Sequence, residues 1–344
     1  MSGLSKHRYQ SVLGLCCLGM APLSGWACAT CGCTLNTDAA MGYSAAAGWR
    51  VNLEDDYINQ NQLRSGTRSV TPDQIVDHPV DPTAGGAEIE QGTLNRYLTL
   101  GVAYSPTHAW NFDLRLPYVL RDHATFGQQQ APFDPSETAA DQLSGSRVSS
   151  FGDARLLMSY QGLLPTHNLG VQLGIKLPTG HYGTAVKFNS GPGAGSPLDA
   201  SLQAGTGSTD LIVGAYYYRA VSQNFDAYAS GQFQAAVAHK QDQPDNDFRP
   251  GNSLIMSFGL RYEAHPQWVP QLQVNLLHKS ADQGALADRL DTAGTVLYLS
   301  PGLTIRALPR TYVYAFVQVP LASNLDGYQL FPHWTASVGV SYAL

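Results

Sequence analysis

Three cysteines stand close together near the N-terminus, in the segment Cys28-Ala29-Thr30-Cys31-Gly32-Cys33. Thiolates at this spacing suit a soft metal ion such as Cu(I) or Zn(II), so Cys28, Cys31 and Cys33 are candidate metal ligands. No histidine follows Cys31, and the segment is therefore not a c-type haem attachment site. In an oxidising compartment two of the cysteines could instead form a disulfide and leave an odd thiol. A segment without any site, and a lipid anchor on the first cysteine, are further alternatives.

The residues before these cysteines predict export from the cytoplasm. Lys6 and Arg8 precede a short apolar core, Val12–Leu23, and Gly25-Trp26-Ala27 has the small-x-small pattern of a signal-peptide cleavage site. Cleavage after Ala27 makes residues 1–27 the signal peptide, and cleavage two residues later fits nearly as well. The apolar core is too short to span a membrane as a helix. Without residues 1–27 the chain carries 18 basic and 26 acidic residues, a balance that disfavours nucleic acid as a partner.

The segment Asn168–Gly180 shows the pattern that dominates the remaining chain. Apolar side chains occupy every second position from Leu169 to Leu177, and small or polar residues fill the positions between them. In an extended strand this period of 2 makes one face apolar and the other polar. The pattern returns about a dozen times, as expected when every strand faces lipid outside and water inside. We therefore predict an all-β fold, a transmembrane antiparallel up-and-down β-barrel of about 12 strands, over residues 48–344.

The predicted connections alternate between long and short along the whole barrel. An even number of strands with this alternation places the short turns, and both chain termini, in the periplasm. Residues 28–47 then form a periplasmic cysteine-containing segment before the first strand. The predicted strands are Gly48–Ile58, Thr93–Tyr104, Ala109–Arg121, Phe151–Leu163, one within Asn168–Gly180, Asp210–Ala220, Phe225–His239, Ser253–Ala264, Trp268–His278, Thr292–Ile305, Thr311–Leu321 and His333–Leu344.

Charged residues at inward positions are the candidate permeation residues. They are Asp113, Arg115, Arg155, Lys176, Arg261 and Glu263. One interpretation is a charged constriction that selects permeants, and the other is a set of cross-strand ion pairs that stabilises the wall. Lys176 is the strongest single candidate, because it lies between Gly174 and the bend at Pro178, where an aromatic permeant could meet a cation. The glycine-rich loop Gly180–Ser208 either folds into the mouth of the barrel or covers its surface.

Four segments carry a resemblance to a known family. They are Phe151-Gly152-Asp153-Ala154-Arg155, Gly174-Ile175-Lys176-Leu177-Pro178-Thr179-Gly180, Gly205-Thr206-Gly207-Ser208-Thr209-Asp210 and the C-terminal stretch from Gly327-Tyr328-Gln329-Leu330 to Tyr342. Over roughly residues 90–344 the chain resembles the outer-membrane transporters named for the meta-cleavage pathway of phenol degradation. The resemblance implies a bacterial outer-membrane location and uptake of small hydrophobic or aromatic compounds.

The leading functional hypothesis is passive passage of such solutes, and the alternative is a metal-linked envelope barrel whose cysteines bind a soft metal or a periplasmic partner. The expected partners are outer-membrane lipid, the small solute and the barrel-assembly machinery. The last of these is expected because Val338–Leu344 resembles the C-terminal signal that this machinery recognises, with leucine in place of the usual final phenylalanine. Neither a Gly-x-Ser-x-Gly elbow nor a phospholipase-type His-x-Ser-Asn-Gly segment occurs, so no enzyme is expected. We expect no cofactor apart from the Cu or Zn considered for the cysteines.

Overall fold

The structure, a computed structural model, describes residues 47–83, 86–239 and 245–344. The predicted signal peptide and Cys28, Cys31 and Cys33 lie outside these ranges, so their roles stay predictions. Within the described ranges, no helix combines the length and the apolar character needed to cross a membrane.

Strands of one antiparallel sheet make up almost all of the described chain. They are β1 (Gly48–Gly66), β2 (Arg68–Ser69), β3 (Ala87–Ser105), β4 (Trp110–Gln129), β5 (Ser144–Phe151), β6 (Ala154–Tyr160), β7 (Leu169–Leu177), β8 (Thr209–Ala220), β9 (Phe225–Ala238), β10 (Ser253–Tyr262), β11 (Trp268–Lys279), β12 (Gly294–Leu308) and β13 (Thr311–Ala343). One short helix, α1 (Pro72–Asp77), lies between β2 and β3. The last strand pairs with the first, with Ala343 opposite Arg50, so the sheet closes into a barrel. The predicted all-β barrel is confirmed.

The longest strand, β13, is a hairpin of two arms. Its first arm pairs with β12 as far as Leu325, and its second arm pairs with β1. Gly327 has a φ of 58°, a left-handed conformation that suits glycine in a tight turn. The amide of Ala343 donates to the carbonyl of Arg310 at 2.9 Å, so both ends of the hairpin lie at the same rim.

Two shorter strands form one interrupted strand of the wall. β6 pairs with β4 near Trp110–Arg115, and β5 pairs with the next part of β4, from Tyr118 to Thr125. The described wall has twelve strands. This count takes β5 and β6 as one strand and the two arms of β13 as two, and it omits the two-residue β2.

Most predicted strand ends are within three residues of the observed ends, but several next to long loops are wrong. β1 continues to Gly66 instead of ending at Ile58, and β4 continues to Gln129 instead of Arg121. The predicted loop Ala322–Pro332 lies entirely within the β13 hairpin. The extension Asn59–Gly66 carries polar residues on both faces, so the period of 2 in hydrophobicity disappears although the backbone pairing continues.

Burial in this barrel is the reverse of that in a water-soluble protein. On β7, Leu173 is 47% exposed, whereas Lys176 is 3% exposed. The same reversal holds around the barrel, where Asn52, Gln273 and Ser337 are buried. An apolar outer face and a polar interior are the properties of a transmembrane barrel.

Aromatic pairs mark two levels of the outer face. Trp49 packs on Tyr104 with ring centroids 4.6 Å apart, close to the rim that carries the short turns. Tyr57, eight residues further along β1, stacks on Trp334 at 5.5 Å. Eight residues of a tilted strand rise by about 20 Å, close to the height of the apolar band of outer-membrane barrels. The two levels therefore fit the two membrane–water interfaces, where such rings are favourable.

Candidate functional site in the barrel interior

A cavity of about 340 Å³ lies inside the barrel. Three of the predicted permeation residues, Arg115, Arg155 and Lys176, line it. Strand pairing brings them together, because Arg115 lies opposite Arg155 and Arg155 lies opposite Lys176. Like charges directly opposite one another destabilise a sheet, so this row of three cations requires compensation.

Lys176 is fully compensated by two carboxylates. Its Nζ lies 3.1 Å from Oδ2 of Asp153 and 3.1 Å from Oδ2 of Asp210. It also donates to Ser208 Oγ at 3.1 Å and to the Thr206 hydroxyl. All the hydrogen-bonding capacity of an ammonium group is therefore used within the protein. This geometry favours the ion-pair interpretation of Lys176 over a direct contact with a permeant.

The groups around Lys176 also hold residues 178–208, which we call the inner loop. Asp153, at the interruption between β5 and β6, accepts hydrogen bonds from the amides of Gly180 at 3.1 Å and Thr206 at 3.0 Å. Leu198 and Leu202 of this loop are buried against Val119 and Val148 of the wall. Of the two alternatives for this loop, the structure therefore shows the one in which it folds into the barrel.

The arginines that line the cavity differ in how many of their N–H groups donate hydrogen bonds to protein acceptors. Arg115 Nε lies 2.6 Å from Asp113 Oδ2. Arg121 donates to Asn95, to the Tyr97 hydroxyl at 2.8 Å and to the Gln203 carbonyl at 3.2 Å. No described residue hydrogen-bonds to the guanidinium of Arg155 or forms an ion pair with it, and its half-buried side chain lines the cavity.

Asp113 accompanies Arg115, and the remaining two predicted permeation residues form a separate pair. Arg261 Nε donates to Glu263 Oε1 at 2.8 Å, next to the short turn that leads to Trp268. Neither residue lines the cavity. The predicted set therefore divides into a central group and a pair near one rim.

Sequence reasoning missed both carboxylates that neutralise Lys176. Asp153 and Asp210 lie within two of the segments that carry the family resemblance, but neither is among the predicted site residues. The pairing register of the two strands could have identified Asp210, because it lies directly opposite Lys176 once β7 and β8 are paired.

Metal binding finds no support in the barrel itself. Among the described residues, no group of three or more histidine, cysteine, aspartate or glutamate side chains has the arrangement of a metal site. The metal hypothesis depends on the cysteines before residue 47, which lie outside those ranges.

Comparison with known families identifies the barrel. The sequence profile of the family described as "Putative MetA-pathway of phenol degradation" matches residues 80–324, well over half of the chain. The chain belongs to this family. Nothing among curated protein sequences matches it. The expectation drawn from the sequence segments is thus confirmed at the level of the family.

Solved structures show the fold that this family member adopts. The crystal structure of an outer membrane channel from Pseudomonas putida F1 is similar with a TM-score of 0.59 and 12% identity, covering 88% of this chain and 98% of that one. The Ralstonia pickettii toluene transporter TbuX covers 95% and 98% at 12% identity, with a TM-score of 0.45. The first similarity shows that the fold is that of an outer-membrane barrel.

Proposed function

We propose that this barrel lets small hydrophobic or aromatic solutes pass the outer membrane without a catalytic step. The observation that carries the proposal is a closed sheet with an apolar outer face around a cavity of about 340 Å³. This volume is near the lower end of the range for small-molecule sites, roughly 300–1,000 Å³, and suits a single-ring compound. The family description, which refers to phenol degradation, agrees with such a solute.

The cavity lining supports the same class of permeant. Polar amides and hydroxyls, such as Gln172 and Ser230, alternate with apolar surface from Leu157, Ile212 and Leu277. Most lining residues are polar or charged, but the apolar ones can contact a ring while the polar ones bind its substituents, as in sites that take small organic molecules.

Uptake by intact cells tests the proposal. In cells that lack their general porins, expression of the protein should raise the initial uptake rate of labelled phenol several-fold over cells without it. Ser230→Trp fills the cavity and should return uptake to the background rate. Ala229→Trp adds the same ring one residue earlier. Ala229 is the cross-strand partner of the exposed Phe258, so its side chain is on the outer face of the barrel and the substitution should leave uptake unchanged. Equal uptake with and without the assembled protein would refute the function.

We also propose that the short turns and both termini face the periplasm. The alternation of short and long connections supports this orientation. In a variant with serine at the native cysteine positions, Thr107→Cys and Asn224→Cys should resist a membrane-impermeant maleimide until the outer membrane is opened. Ser136→Cys, in an exposed long loop, should react in intact cells. Labelling of the two turn positions in intact cells would establish the opposite orientation.

A further inference from the structure

Arg155 is the least compensated cation of the cavity. Its cross-strand neighbours, Arg115 and Lys176, are both cations, and both have carboxylates within ion-pair distance. Asp153 and Asp210 attract Arg155 electrostatically, but both are committed to Lys176, and neither lies within ion-pair distance of the guanidinium. A guanidinium has five N–H donors, and here they face the cavity without a described protein acceptor.

The charges of the lining agree with this assignment. Among the described residues that line the cavity, five are cationic and four are carboxylates, although the whole chain has a net charge of −6. Lys176 and Lys279 pair with carboxylates of the lining, and Arg121 directs its donors to neutral acceptors. The cavity is thus more basic than the chain around it, and its unused donors belong to Arg155.

Apolar surface lies directly beside this cation. Leu157 is two residues from Arg155 on the same inward face of β6 and is 4% exposed. It lies opposite Gly174, which in turn lies opposite Ile212. A Cβ on Gly174 would overlap the Leu157 side chain, so the absence of a side chain there lets Leu157 pack over Gly174 towards Ile212, which also lines the cavity.

We propose that Arg155 is a specificity-determining contact for permeants that carry a carboxylate on a small aromatic ring. The guanidinium would hold the carboxylate through two parallel N–H···O hydrogen bonds, while the ring lies on Leu157 and Ile212. Binding there breaks no ion pair of the protein, unlike binding at Lys176. The inference rests on the proposed function and narrows its substrate class to aromatic carboxylates.

Two solutes of equal ring size test the inference. Benzoate, which is ionised at neutral pH, and benzyl alcohol, which is neutral, are supplied separately to porin-deficient cells that express each variant. Loss of one hydrogen bond to a charged group corresponds to a change of about tenfold or more, so Arg155→Gln should lower the ratio of benzoate to benzyl alcohol uptake by at least that factor. Arg155→Lys keeps the charge without the planar fork and should give an intermediate ratio. Arg306→Gln removes an exposed cation outside the cavity and should leave the ratio unchanged.

The outcomes separate this inference from the function on which it rests. If benzyl alcohol enters through the wild-type protein and Ser230→Trp blocks it, but Arg155→Gln leaves the ratio unchanged, the function stands and the role of Arg155 is refuted. If neither solute enters faster than in cells without the protein, both proposals fail.

A second measurement applies to purified, folded protein in planar bilayers. Arg155→Gln should shift the reversal potential in a KCl gradient away from anion preference, and Arg155→Lys should not. If neither variant differs from the wild type there, Arg155 does not face the path of the permeant.

Discussion

Replacing Lys176 by methionine is expected to destabilise the folded barrel by about 3–5 kcal/mol, the usual effect of removing one partner from a buried ion pair. The side chains of Asp153 and Asp210 are 7% and 3% exposed, and both would become unpaired carboxylates. The inner loop would also lose the ammonium donor to Thr206 and Ser208. Urea unfolding of the detergent-solubilised barrel, followed by tryptophan fluorescence, measures the change.

A variant with balanced charge provides the control for this prediction. Lys176→Met combined with Asp153→Asn and Asp210→Asn removes the unpaired carboxylates and should recover much of the lost stability. If Lys176→Met alone is as stable as the wild type, lumen water hydrates the two carboxylates and the ion pairs are not a structural requirement.

The second large effect concerns the lipid-facing side of β7. Leu173→Arg places a charge on the outer face and should cost about 2–4 kcal/mol if the site is near the bilayer midplane. Gln172→Arg adds the same side chain one residue earlier, on the inner face, where the wild-type amide bonds to Ser159 and Gln232. It should cost about 1–2 kcal/mol, because two hydrogen bonds of the wild-type amide are lost.

Two measurements compare the arginine variants. The heat-dependent shift in electrophoretic mobility reports how much of each variant is folded, and urea unfolding in lipid vesicles reports its stability. Equal assembly defects in Leu173→Arg and Gln172→Arg would mean that the assigned faces of β7 are wrong.

The strands inside the apolar band could be predicted from the sequence because lipid imposes the period of 2 directly on the residues. The band ends near Tyr57, and beyond it Asn59–Gly66 pairs with its neighbours through the backbone while both faces carry polar residues. Backbone pairing alone does not require apolar and polar residues to alternate, so the sequence pattern predicts loops there. In Ala322–Pro332 the pattern fails differently, because Leu325, Leu330 and Phe331 are buried instead of facing lipid.

The site was only partly predictable because charge compensation depends on register. Sequence reasoning ranked Lys176 above Arg155 from its neighbours along the chain, Gly174 and Pro178. The proposed role of Arg155 reverses this order, because Asp210 of the paired strand β8 and Asp153, next to β6, both lie within ion-pair distance of Lys176. Deciding which cation is left without a partner requires the pairing of four strands at one level, which is a property of the closed sheet.

The polar strand extensions divide the wall into two zones that should differ in how freely their sequences change. Strands β3 and β4 have 19 and 20 residues, about twice the 9–11 that cross a bilayer. Their additional residues form a collar that extends the wall by about 20 Å beyond the apolar band. In the collar, Arg147 pairs with Asp122 on the outer face, and both side chains are more than half exposed. Charges are therefore acceptable there on either face. Surface variation among related barrels should concentrate in this collar, whereas the band beneath it admits almost only apolar replacements outside.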